Sequence, residues 1–109
     1  MTDRRPQLRR AILSTSVAFV ALHHGTRAKA ILFERLRQLL HVHAQEAAPA
    51  DLTESDDLGP VIAAASRLCG LCGERAATLG DPEFYLRTTI GGYFAKQSER
   101  LAANLGVAA

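Results

Sequence analysis

Leu8, Ile12, Thr15, Phe19 and Leu22 recur at alternating steps of four and three, the spacing that gathers side chains on one face of an α-helix. The pattern predicts a first helix over residues 6–23. Pro6 suits its opening turn, because the first turn of a helix has no use for the amide hydrogen that proline lacks. Gly25 interrupts the pattern. A glycine there lets the chain turn left-handed, and Thr26 is placed to cap a second helix over 26–47. That helix repeats the spacing at Ala28, Leu32, Leu36, Leu39 and His43, with Ile31 and Leu40 widening the stripe and Arg27, Lys29, Arg35 and Arg37 forming a cationic exterior.

Residues 48–59 are rich in Pro, Asp, Ser and Thr and read as a connection. Pro60 then opens a third helix lined on one side by Ile62, Ala65, Cys69, Cys72, Ala76 and Leu79. Gly80-Asp81-Pro82 is the sharpest boundary in the chain: a stop, a cap and a helix start in three residues. The fourth helix carries Leu86, Ile90, Tyr93, Phe94, Leu101 and Leu105 and ends at Asn104 to Gly106, with Gly91 and Gly92 weakening its middle. The expected fold is all-α, a single helical domain over 1–109, as a four-helix bundle or two stacked helical hairpins. Ala63, Ala64, Ala65, Ser66, Gly70, Gly73, Ala76 and Ala77 make the third helix slim. A slim helix admits close approach of another, from the same chain or a second copy.

Composition sharpens this reading. The apolar residues are mostly Ala and Leu, with six aromatics and no Trp, which favours helices over a strand-rich core. A net charge of +2 is too small to argue for a nucleic-acid partner by itself. The charge is uneven, however. Arg4, Arg5, Arg9 and Arg10 form a basic patch at the N-terminus, and Glu54, Asp56 and Asp57 an acidic stretch near the middle. The arginines could touch phosphates, but no base-stacking aromatics accompany them. The acids read as loop and helix-start residues.

No apolar run has the length of a membrane span, and the expected location is the cytoplasm. The alternative is export, since Arg4-Arg5-Pro6-Gln7-Leu8-Arg9 resembles a loose twin-arginine signal and Ala28-Lys29-Ala30 a cleavage site.

Chemistry has one local candidate, Cys69-Gly70-Leu71-Cys72. Thiols at this spacing can form a redox couple or give two ligands to zinc. A third ligand would have to be a histidine, and only His43 falls on an apolar stripe; His41 points away from it. Both cysteines fall inside a helical pattern rather than at a helix N-terminus, so the plain reading is small core residues. No cofactor is expected. His23-His24 beside Gly25 reads as a favourable cationic helix end. No phosphate loop, nucleophile elbow or paired acidic cluster is present in the sequence.

Ala18, Gly25 and Ala30 resemble the small-residue positions of a tetratricopeptide helical hairpin, in which a Gly ends the first helix and an Ala lets the second pack. The shape is similar to degenerate repeats in small bacterial type III secretion chaperones, although Ser14 stands where the repeat's aromatic belongs. That resemblance implies a helical surface that holds a protein partner. The expectation is a non-enzymatic, chaperone-like or adaptor module that forms a homo-oligomer. The alternatives are a thiol-redox or metal-binding protein centred on Cys69 and Cys72, and a nucleic-acid binder using the N-terminal arginines.

Overall fold

The computed structural model describes residues 5–46, 57–71 and 81–106. They form α1 (Arg5–Ala21), α2 (Arg27–Glu46), α3 (Gly59–Leu68) and α4 (Pro82–Asn104), with no strand among them. The all-α expectation is therefore met.

Local chemistry explains each boundary. Gly25 takes φ +82°, the left-handed conformation a Cβ would oppose. Thr26 then caps α2: its Oγ1 accepts from the Lys29 amide at 3.3 Å and donates to the His23 carbonyl at 2.9 Å. At the start of α4, Asp81 Oδ1 accepts from the amides of Glu83 and Phe84, with Pro82 in the first turn as its position suggested.

The third helix is shorter than its pattern implies. It ends at Leu68, with Cys69 as its cap and Gly70 at φ +73°. Gly70 N–H donates to the Arg67 carbonyl and Leu71 N–H to that of Ser66, the reciprocal pair that closes a Schellman end. Gly70 ends this helix, so Cys69 stands at its cap and not along its face. Cys72, Gly73, Ala76, Ala77, Leu79 and Gly80 lie outside the described residues.

The helices alternate in direction. The end of α1 meets the start of α4, where Arg87 Nη2 donates to the Val20 carbonyl at 2.9 Å. The start of α3 meets the far half of α4, where Asp57 accepts a fork from Arg100 and a 2.8 Å bond from Gln97. The end of α3 returns to the start of α4, with the Arg67 guanidinium 5.2 Å from the Tyr85 ring centre. The acidic stretch thus contributes a tie between helices through Asp57; Glu54 and Asp56 lie outside the described residues.

Ile12, Leu36, Leu40, Val61, Ala64, Ala65, Leu86 and Ile90 meet in the core, one or more from every helix. Ala64 and Ala65 spend the slimness of α3 on packing within the chain. On α2 the buried stripe is Lys29, Leu36, Leu40 and His43, with Phe33 half-buried, while Ala28 is exposed. Leu36, Leu40 and His43 are buried as their spacing predicts, and Leu32 and Leu39 are half-buried. The departure is at the start of the helix, where Lys29 belongs to the interior rather than to a cationic exterior.

The helices differ in length. α3 has 10 residues and α4 has 23, about 15 Å against about 34 Å at the helical rise. The C-terminal end of α4, beyond the tie of Asp57 to Gln97 and Arg100, therefore runs past α3.

Candidate functional site

Cys69 sits half-buried at the end of α3, packed against the core. Burial pushes its thiol up from 9.0 to about 11; the Arg37 guanidinium pulls the other way and the Glu34 carboxylate adds to the rise. A proton held more tightly in the folded chain supports folding below pH 9, and that support fades as pH rises through 11. In a Cys72→Ser variant, iodoacetamide should therefore alkylate Cys69 at pH 8 about a hundredfold more slowly in folded than in denatured protein, since each pKa unit changes the thiolate fraction tenfold. Equal rates in the two states would show that burial does not mask the thiol, and a faster rate in the folded state a thiol activated for chemistry.

His43 is buried near the opposite end of α2, where its Nε2 lies 3.4 Å from Arg9 Nη1 on α1. The charges that act on Cys69 are Glu34 and Arg37, about 2.5 and about 1.7 turns earlier on the same helix. Cys69 and His43 are thus not brought together, and Cys72 is outside the described residues. Among those residues no group of three or more His, Cys, Asp or Glu is placed to hold a metal ion.

Of the N-terminal arginines, three lie among the described residues. Arg9 turns inward to His43, Arg5 is half-buried and Arg10 is exposed, while Arg4 lies outside the described residues. None of the described helices is long and apolar enough to cross a membrane.

Two features that sequence reasoning missed remain. The first is a polar knot where the α1–α2 turn meets α4. Lys29, 5% exposed, sends its Nζ to Glu83 Oε1 at 2.8 Å and to the Leu22 carbonyl at 2.9 Å, and lies 4.5 Å from the Phe19 ring centre. Glu83 Oε2 faces Arg87 Nη2 at 3.5 Å and His24 Nε2 at 3.4 Å. A cleft of about 470 Å³ opens beside it, lined by His23, His24, Asp81, Glu83, Phe84 and Arg87. The carboxylate and ammonium are already spent on each other, so the knot clasps three helices and leaves no unpaired charge for a substrate. His24 joins it as a partner of Glu83, beyond the helix-end role expected of it.

The second feature is a bare ridge on α4. Phe84, Phe94, Leu101 and Leu105 are 65%, 48%, 59% and 70% exposed. The buried or half-buried positions of the same helix are Pro82, Glu83, Leu86, Thr89, Ile90, Tyr93, Gln97 and Ala102. Each ridge residue from Phe84 to Phe94 directly follows an inward one, so the two rows run side by side. Sequence periodicity joins Phe94, Leu101 and Leu105 to the core face with Leu86 and Ile90. The structure separates them: Tyr93, Gln97 and Ala102 keep the far half of α4 turned toward the bundle, where Asp57 binds Gln97 and Arg100, while Phe94, Leu101 and Leu105 face outward.

No family model matches this chain, and no curated protein or solved structure is significantly similar to it. The ridge and the knot thus carry the functional argument by their own chemistry. Of the residues behind the tetratricopeptide resemblance, Gly25 makes the expected turn, whereas Ala18 and Ala30 are exposed.

Proposed function

We propose that this protein is a non-enzymatic helical interaction module that docks a helix of a protein partner on the outer face of α4, in the manner of an adaptor or small chaperone. The observation that carries the reading is the row of four large apolar side chains exposed on one helix. Exposed apolar groups in a contiguous row are costly to leave in water and mark a surface that is covered in use. Helix-in-groove recognition reads such rows at steps of three and four. The thiol–metal reading gains nothing from a Cys69 whose thiol is masked by burial, nor the nucleic-acid reading from an Arg9 that faces His43. A cytoplasmic location fits best, since removal of α1 as an export signal would strip Ile12 and Phe19 from the interior.

A photo-crosslinking side chain at position 94, on the ridge, tests the reading against one at position 96, exposed on the opposite side of α4. In cells making the protein, position 94 should give a protein adduct that Leu101→Glu abolishes, and position 96 should not. Adducts that form equally from both positions, or from neither, would overturn it.

A further inference from the structure

We infer that the helix docked on this ridge is the α4 ridge of a second copy, packed antiparallel so that Leu101 of each chain lies over the partner's Gly91 and Phe94 over the partner's Ser98. The inference rests on reading α4 as a docking face and names its occupant.

Spacing is the first argument. Phe84, Arg87, Gly91, Phe94, Ser98, Leu101 and Leu105 follow at steps of three, four, three, four, three and four, and every one is exposed. This is the seam by which one helix lies along another over several turns. A seam of this kind fits another helix better than an extended peptide or a flat surface.

Charge is the second. From Gly91 to Leu105 the seam bears no charged side chain, and its flanking positions are Ile90, Ala95, Gln97, Ala102 and Asn104. Helical pairs of different chains are commonly sorted by charges at those flanks, and like charges there keep identical chains apart. Here nothing selects a foreign helix and nothing repels a copy. Arg87, the one charge further up the row, is bound to the Val20 carbonyl.

Shape is the third. An added Cβ on Gly91 would meet no atom within 4 Å, so the seam has an open pit at that point. In the antiparallel register two large side chains face small ones, Leu101 to glycine and Phe94 to serine, while Leu105 lies over the stem of the partner's Arg87. A parallel pair would set Phe94 against Phe94 and leave glycine facing glycine, a row of bulges and gaps. Antiparallel packing also opposes the two helix dipoles and lays the overhanging end of each α4 beside the partner's bundle. A single seam of this length falls at the low end of specific interfaces, so the expected dimer is reversible.

Sedimentation equilibrium of the purified full chain over a wide concentration range tests this, with melting curves recorded in parallel. A monomer–dimer equilibrium is expected. Leu101→Glu should raise its Kd at least tenfold while helicity and melting stay unchanged, because Leu101 is exposed in the monomer. Gly91→Leu should raise the melting temperature, by replacing glycine inside a helix, yet weaken the dimer at least tenfold by filling the pit. A dimer that Gly91→Leu tightens, one indifferent to Leu101→Glu, or a monomer at every concentration would each overturn the inference. If the purified chain is monomeric while position 94 still captures another protein in cells, only the second-copy occupant falls and the docking face stands.

Discussion

Glu83→Gln is expected to cost about 3 kcal/mol of folding stability, the scale on which removing one member of a buried ion pair acts. The variant keeps the volume and the shape of the side chain and removes only its charge. Lys29, buried and 2.8 Å away, would then keep an ammonium supported by the Leu22 carbonyl and the Phe19 ring alone. Those two contacts do not repay the loss of water around a full charge. Arg87 would lose its tie to Glu83 but remain on the Val20 carbonyl, and its exposure makes that loss small. Urea denaturation reads the effect directly. The double variant Lys29→Met/Glu83→Leu should recover most of the loss, since replacing both members with apolar groups leaves no buried charge. A loss well under 1 kcal/mol in the single variant would show that Lys29 is held by packing and not by the carboxylate.

The legibility of this fold varies from helix to helix. On α1 the buried residues Ile12, Thr15 and Phe19 stand where the apolar spacing puts them, because that helix packs its most hydrophobic face inward. On α2 the same method finds Leu36, Leu40 and His43 but fails in the first turn. Ala28 is apolar and Lys29 charged, and hydrophobic periodicity sends an ammonium to water. What buries Lys29 is Glu83, a partner distant in the chain that no local window contains. Lys29 does fall in step with Phe33, Leu36, Leu40 and His43, and that alignment is the one signal from which its burial could be read.

The end of α3 is a choice among Gly70, Gly73 and Gly80, all plausible stops by composition. The first wins by closing a full set of terminal hydrogen bonds. This choice also decides the functional surface. A third helix reaching Leu79 would carry both cysteines inside it, and α4 would appear matched in length by its neighbour. With α3 ending at Leu68, Cys69 becomes the edge of a turn, and Leu101 and Leu105 at the end of α4 stand exposed. The bare ridge is therefore invisible to periodicity alone, which merges two rows one residue apart into one wide stripe.

Leu36→Ala should be more damaging still, at about 3 to 5 kcal/mol, the upper part of the range for a buried leucine cut to alanine. Leu36 is wholly buried within the cluster formed by all four helices. How much such a change costs depends on how far the surroundings can collapse into the void. The contribution of α3 to this core is Val61, Ala64 and Ala65, and alanines have no side chain that could swing to fill a gap. Val61 is stiff at its branched carbon, which closes that route too. The cavity should persist, and a domain of this size, whose total stability is of the order of 5 to 10 kcal/mol, would be left close to its unfolding threshold. Leu101→Ala removes the same atoms from the bare ridge and should change monomer stability by less than about 0.5 kcal/mol, since that side chain is already in water. Thermal melts of the two variants at a concentration too low for association separate the leucines that build the fold from those that the fold displays. Comparable losses from both would mean that the α4 ridge is covered within the monomer.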